Sequence, residues 1–173
     1  MVKVILITGT PGAGKTTISS QIDLPYYNIF ELANRLECID GYDEIRNASI
    51  IDEHKLKVKL ETWLNSIRDP LIIIEGHISN IISKKYLSHC FVLSPPQSII
   101  FERLKKRGYS KDKIRENMDA HILKECYYDA LENYGKNNIT EIFEIDIEKI
   151  KACLLYTSPS PRDATLSRMP SSA

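Results

Sequence analysis

The chain has 173 residues, and its 23 basic side chains balance its 23 acidic ones. This length is sufficient for one domain with a hydrophobic core, and the balanced charge argues against strong direct binding to nucleic acid or to a membrane surface. The four cysteines form no CxxC pair and have no histidine at zinc-ligand spacing, which favours free thiols in a reducing compartment. No apolar run approaches the roughly 20 residues of a membrane helix. We therefore expect a cytoplasmic protein without a membrane segment.

The first part of the chain alternates apolar runs with helical patterns. The β-branched run 2–8 predicts a strand buried on both faces, and a helix is expected to begin at Thr16. Residues 24–28 are a candidate second strand, and Ile29–Arg35 a short helix. The segment IDGYDE at 39–44 is predicted as a polar turn.

The middle of the chain continues the alternation. Asp52 can cap a helix whose apolar residues recur at helical spacing as far as Ile67. Further buried strands are predicted at 71–75, 90–93 and 141–145. Short strands that alternate with helices are typical of a parallel sheet covered by helices on both faces, an α/β fold.

Two helices are predicted after the strand at 90–93. Ser94 and Pro95 fit the N-cap and first position of a helix that ends at Arg107, with Gly108 as its C-cap. Ser110 opens one long helix with apolar residues at helical spacing.

The last stretch, CLLYTSPSPRDATLSRMPSSA, is rich in serine and proline and has neither a helical nor a strand period. Such a segment cannot bury enough apolar surface to order itself. A native disordered tail is one interpretation; the one we favour is translated cloning or sequencing-adaptor sequence, joined where a gene fragment ended. We therefore expect one domain over residues 1–151, a disordered, non-native tail over 152–173, and the loss of a closing helix.

The segment GTPGAGKTT fits the pattern G-x-x-x-x-G-K-[ST] with Gly9, Gly14, Lys15 and Thr16. Glycines let the backbone curl so that its N–H groups point at phosphate oxygens, and the following helix adds the positive end of its dipole. Lys15 would contact the β- and γ-phosphates, and the Thr16 hydroxyl can ligate Mg²⁺. A chance glycine turn is the alternative, but the strand before and the helix after the loop favour a site for the phosphates of ATP.

A second candidate group is the strand end IIIEGH at 72–77. Glu75 ends the strand and could hold the magnesium ion through water, while His77 is expected to face the same crevice. The ordinary pKa of histidine suits proton transfer or water positioning near pH 7. The alternatives are a solvated strand end for Glu75 and a packed or capping role for His77.

The segment FERLKKRGY places Arg103 and Arg107 one turn apart on one helix face. Arg107 precedes Gly108, where a lid could hinge, and could neutralise charge on a transferred phosphoryl group. The alternative is a solvated helix face, which we prefer for Arg103. Further upstream, Tyr42 in the acidic turn could stack on a base, or the turn could simply be exposed surface.

Four segments in this order resemble one family: the loop GTPGAGKTT, the turn DGYDE followed by IIDEHKL, the strand end IIIEGH, and the block FVL…ERLKKRGYS…KIRENMDAHI. The chain is similar to the adenylate kinase isoenzyme 6 type, an atypical adenylate kinase family found in archaea and eukaryotic nuclei. The EGH form is more similar to archaeal members, because eukaryotic relatives usually have Asp at the position of Glu75. The resemblance extends from about residue 2 to residue 145.

The resemblance implies a nucleoside monophosphate kinase-like P-loop NTPase fold in three layers, with a five-stranded parallel sheet and a short lid. It implies transfer of the γ-phosphoryl group of ATP to AMP or another nucleoside monophosphate, with accompanying ATPase activity. It also implies a role in maturation of the small ribosomal subunit, through a small-subunit ribosomal protein and the 30S/40S precursor. The alternative is a ribosome-assembly ATPase or binding factor with only incidental kinase activity.

The resemblance also implies roles for individual residues. The ATP-phosphate loop matches Gly12, Ala13, Gly14, Lys15, Thr16 and Thr17, and the implied metal contacts are Thr16 and Glu75. The implied catalytic residues are Lys15, Glu75, His77 and Arg107, the last within a lid that matches residues 106–117. The monophosphate region corresponds to residues 28–52, with Asn28, Arg35, Tyr42 and Asp43 as candidate substrate contacts. Relatives often carry the basic residue one position before Arg35.

Overall fold

The computed structural model describes residues 1–45 and 48–157. The strands are β1 (Lys3–Thr8), β2 (Tyr26–Asn28), β3 (Ile39–Asp43), β4 (Ala48–Ile51), β5 (Leu71–Gly76), β6 (Leu87–Leu93) and β7 (Ile139–Ile142). The helices are α1 (Lys15–Ser19), α2 (Ile29–Arg35), α3 (Glu53–Ser66), α4 (Gln97–Lys106), α5 (Lys111–Ile122), α6 (Glu125–Tyr134) and α7 (Ile147–Thr157). Within these described ranges, no helix is both long enough and apolar enough to cross a membrane.

As predicted, five strands form a parallel sheet; their order in the structure is β2-β5-β1-β6-β7. The central strand β1 alternates its side chains between two buried layers. Val4 and Leu6 join the core formed with α2, α3 and α6, whereas Ile5 and Ile7 join the core formed with α1, α4 and α7. Because both faces of the sheet are covered, the strand is a continuous apolar run, as a buried parallel strand requires.

Several local predictions are confirmed. Asp52 is the N-cap of α3 and accepts a hydrogen bond from the backbone N–H of Lys55, and Ser110 caps α5 in the same way through Lys113. The helix Ile29–Arg35 has the predicted bounds. Its N-cap is Asn28, whose side chain accepts hydrogen bonds from two backbone N–H groups of the first turn.

Other local predictions are wrong. Residues 39–43 of the expected polar turn form strand β3, which pairs with β4 in a two-stranded antiparallel hairpin outside the main sheet. The N-cap of α4 is Pro96 rather than Ser94. The long helix expected after Ser110 is divided into α5 and α6 at Lys124, whose φ of 54° ends the helical path.

Helix α7 follows the last strand and buries Ile150 against the sheet, so a helix is present where we expected one to be lost. The helix passes residue 151, the predicted domain boundary. The rest of the predicted tail, 158–173, lies outside the described residues, and the division at 151 stays a prediction.

Gly76 ends β5 where α2 begins to pack against it. A Cβ atom at Gly76 would lie 2.9 Å from Cβ of Ile29 and still closer to its Cγ2. Ile29 is buried in the core, so it has little room to move. The glycine therefore allows β5 and α2 to approach at the edge where polar side chains collect.

We predict that Gly76→Ala lowers the free energy of unfolding by about 1–3 kcal/mol, because the added methyl group overpacks this contact. Chemical denaturation followed by circular dichroism measures the loss. Gly41→Ala is the matched control, since a Cβ there meets its nearest neighbour, Ile50 Cδ1, at 3.8 Å. Equal stability losses in the two variants would contradict the packing argument.

Candidate active site

A cleft of about 1030 Å³ opens at the carboxyl ends of β1 and β5. The phosphate loop, the β3–β4 hairpin and α5 contribute to its walls. Of the sequence-predicted site residues, it is lined by Gly12, Gly14, Lys15, Thr16, Thr17, Asn28, Tyr42, Asp43, Glu75, His77 and Arg107. Ala13 is fully buried behind the loop, and Arg35 is exposed in the last turn of α2 and does not line the cleft.

Glu75 is the polar centre of the cleft floor, with 1% of its surface exposed. Its Oε1 atom accepts hydrogen bonds from the Thr16 hydroxyl at 2.8 Å and from Nδ2 of Asn28 at 2.9 Å. The Asn28 contact follows from strand register, because Asn28 on β2 is paired with Glu75 on β5. Asn28 was predicted as a substrate contact; here it holds the carboxyl group and caps α2.

The second oxygen of Glu75, Oε2, is buried and has no hydrogen-bond partner among residues 1–45 and 48–157. Buried carboxylate oxygens normally have one. An oxygen of this kind beside the Thr16 hydroxyl suits a hard cation such as Mg²⁺, which binds through one or two protein oxygens, water and substrate phosphates. These residues therefore fit the metal ion that the phosphate loop implies.

Lys15 lies in the phosphate loop, and its ammonium group donates hydrogen bonds to the backbone carbonyl oxygens of Gly9 at 2.8 Å and Thr10 at 3.1 Å. Burial lowers the pKa of Lys15, because removal from water disfavours the charged form, and the nearby Glu75 carboxyl opposes this shift. The Lys15 ammonium group is thus near the Glu75 carboxyl group, and both would face the phosphates of a bound nucleotide.

His77 follows β5 and faces the cleft. Although its surface is partly open to solvent, surrounding protein atoms displace enough water to lower its pKa, and the charge of Lys15 lowers the pKa further. Glu53, at the start of α3, acts in the opposite direction. The imidazole is therefore neutral near pH 7 and can accept a proton.

Arg103 is a site residue that sequence reasoning missed. We expected a solvated helix face, but Arg103 is partly buried and its Nη1 donates a hydrogen bond to the carbonyl oxygen of Gly12 at 2.9 Å. The same atom would be 3.2 Å from a Cβ atom at Gly14, where φ is +98°. Helix α4 thus supports the phosphate loop from behind. The spacing of Arg103 and Arg107 on one helix face was the available signal.

Arg107 is exposed and lines the cleft one turn further along, at the C-cap of α4. Gly108 follows with a φ of +69° and open space around it. The walls also include residues that the sequence did not single out, among them Tyr109, Lys113, Asn117, Cys126 and Asp129. On the opposite wall, Tyr42 lines the cleft and is 56% exposed.

A parallel five-stranded sheet with this loop after its central strand defines a P-loop kinase fold. Shikimate kinase from Acinetobacter baumannii has the same fold, with a TM-score of 0.60, 14% identity, and coverage of 91% of this chain and 96% of that one. The family model described as "AAA domain" matches residues 5–124.

The sequence relatives are more specific. The Saccharomyces cerevisiae protein "Adenylate kinase isoenzyme 6 homolog FAP7" is 36% identical over 143 residues, which cover 80% of this chain and 71% of that protein. A relative from Methanocaldococcus jannaschii is also 36% identical, over 148 residues, 82% of this chain and 75% of its own length. The chain belongs to the adenylate kinase isoenzyme 6 family, and its relatives support a nucleotide kinase function. Equal identities to both leave the archaeal-like assignment a prediction.

We predict that Lys15→Met raises the pKa of His77, because it removes a cation that disfavours the imidazolium ion. Glu53→Gln should lower the same pKa, because it removes a carboxylate that favours that ion. An NMR titration of the histidine ring protons measures both shifts in the nucleotide-free protein. Shifts in the same direction would show that these charges do not act on His77 as the geometry indicates.

Proposed function

We propose that the protein transfers the γ-phosphoryl group of ATP to a nucleoside monophosphate, with AMP as the first candidate acceptor. The observation that carries the proposal is the hydrogen bond from the Thr16 hydroxyl to the buried Glu75 carboxyl group beside Lys15, all three residues lining one cleft. The family of the chain and the names of its relatives support the same class of reaction.

In this proposal the protein acts by positioning and by neutralising charge. The backbone N–H groups of the phosphate loop bind the ATP phosphates, and Lys15 contacts the β- and γ-phosphate oxygens. Thr16 and Glu75 would hold Mg²⁺, which supplies positive charge to the phosphate oxygens when bound. Arg107 approaches the transferred group when the lid, residues 106–117, closes and excludes water.

The acceptor would lie against the hairpin wall of the cleft. Tyr42 offers an exposed ring for stacking on a base, and Asp43 lines the same wall. Asn28 donates a hydrogen bond to Glu75. It would therefore position the metal-binding carboxyl group rather than contact the acceptor directly. Arg35 would contribute only if α2 moved, since its side chain lies outside the cleft.

ATP hydrolysis is the second candidate activity. It is favoured by His77, whose lowered pKa leaves a neutral imidazole that can accept a proton from water in the cleft. With this second activity we associate a nucleotide-dependent role in maturation of the small ribosomal subunit. The partner would be a small-subunit ribosomal protein. That role rests on the family resemblance, and in it monophosphate kinase activity would be incidental.

The deciding experiment measures ADP formed by the full chain from Mg-ATP, with and without each nucleoside monophosphate. We expect strong stimulation by AMP, with two ADP formed per AMP consumed, and loss of activity in EDTA that added Mg²⁺ reverses. Binding of ATP with slow hydrolysis and no response to any monophosphate would overturn the kinase proposal in favour of the assembly ATPase.

We predict that Lys15→Ala lowers phosphoryl transfer on the order of a hundredfold or more, because the transition state loses a preorganised charge. Initial rates of ADP formation measure the loss. Lys105→Ala is the matched control: Lys105 is exposed on α4 and does not line the cleft, so its rate should be unchanged. Near-normal turnover by folded Lys15→Ala protein would refute the assignment of Lys15.

A further inference from the structure

His121 lies in the last turn of α5 and contacts the phosphate loop. Its Nδ1 atom is 3.2 Å from Oγ1 of Thr10, and its Nε2 atom is 2.8 Å from the carbonyl oxygen of Pro95. Thr10 follows β1 and Pro95 follows β6, and these strands are neighbours in the sheet. One imidazole therefore connects α5 to the loops that follow both strands.

The Pro95 contact determines which ring nitrogen carries the proton. A carbonyl oxygen only accepts hydrogen bonds, so Nε2 of His121 must donate. In the neutral ring Nδ1 is then an acceptor, and the Thr10 hydroxyl donates to it. Thr10 is 4% exposed, so water reaches its hydroxyl poorly. Without the imidazole of His121, this hydroxyl would therefore lack a hydrogen-bond partner, which is energetically costly. The Pro95 carbonyl thus orients the imidazole of His121 so that its Nδ1 atom can accept a hydrogen bond from the Thr10 hydroxyl.

Thr10 also contacts Lys15. Its carbonyl oxygen accepts a hydrogen bond from the Lys15 ammonium at 3.1 Å. The side chain of Thr10 is therefore held by α5, while its backbone holds the charged group of the phosphate loop. A displacement of His121 would be transmitted to Lys15 through a single residue.

Helix α5 is packed less deeply than the helices of the core. None of its residues is fully buried, and its apolar contacts are the partly buried Ile114 and Met118. At its amino-terminal side Gly108 has open space around it. The hydrogen bonds of His121 therefore help to fix the carboxyl-terminal half of α5 against the loop.

We propose that His121 is a positioning residue that couples α5 to the phosphate loop through the Thr10 hydroxyl, and thereby sets the position of Lys15 for the ATP phosphates. The proposal rests on the proposed function and explains how its ATP side is assembled. His121 does not line the cleft, so it acts through Thr10 rather than on the nucleotide.

The test is a double-mutant cycle with His121→Ala and the nearly isosteric Thr10→Val. Each variant should weaken Mg-ATP binding and lower kcat by about three- to tenfold, the effect of one lost hydrogen bond. The KM for AMP should stay unchanged, because both residues lie on the ATP side. The double variant should be no worse than the more damaged single variant. Additive losses would overturn the coupling.

Two conservative variants separate the contacts of His121. In His121→Asn the amide oxygen lies near the former Nδ1 position and can still accept from Thr10. In His121→Gln the amide lies near the former Nε2 position and can donate only to Pro95. We expect His121→Asn to retain most of the ATP affinity and His121→Gln to resemble His121→Ala. The reverse order, or equal affinities, would show that the Thr10 contact does not set the loop.

Asp119→Ala is the control on the same helix, since Asp119 is exposed and does not line the cleft. Its ATP affinity and rate should match those of the unaltered chain. Mg-ATP affinity is measured by calorimetry, independently of catalysis. If the chain binds ATP but phosphorylates no monophosphate, the proposed function fails while the affinities still decide the role of His121. Unchanged affinities in folded His121→Ala and Thr10→Val proteins would overturn the inference.

Discussion

A carboxyl group buried at the end of a sheet strand is stable only if neighbouring groups satisfy it, and Glu75 imposes this requirement on the cleft. Its partners come from two directions: Thr16 from the phosphate loop and Asn28 from the adjacent strand. A single oxygen atom on β5 therefore connects the phosphate loop with the end of its neighbouring strand β2. The other oxygen is buried without a hydrogen-bond partner in the described part of the chain, which is a cost that a bound cation would offset.

The sheet supplies the rigidity that this arrangement needs. Its strands bury side chains on both faces, so the carboxyl ends that bear the polar groups shift little relative to one another. Helix α5 differs from this frame, because none of its residues is fully buried. The molecule thus combines a fixed phosphate-binding floor with a wall that lies nearer the surface. Such a division suits an enzyme that must admit a nucleotide and then surround it.

Sequence reasoning identified what is encoded locally. The phosphate loop and the EGH strand end are short motifs with a physical meaning, and the apolar runs show which strands are buried. The β3–β4 hairpin was missed because IDGYDE is polar and its pairing partner lies across a turn. The break at Lys124 was missed because apolar spacing continues through it. Arg103 and His121 contact residues 91 and 111 positions away in the chain, and the helical spacing of Arg103 and Arg107 does not reveal which residues these side chains reach.

Asn28 performs two tasks with one amide group. Its oxygen caps α2, and its nitrogen holds Glu75. An assay that measures only the activity of Asn28 variants would count damage to the helix cap as damage to catalysis. An assay that measures only their stability would count the loss of the Glu75 contact as damage to folding. An aspartate keeps the cap but loses the donor, whereas an alanine loses both. Comparing Asn28→Asp with Asn28→Ala therefore separates the contribution of the helix cap to folding from the contribution of the Glu75 contact to catalysis.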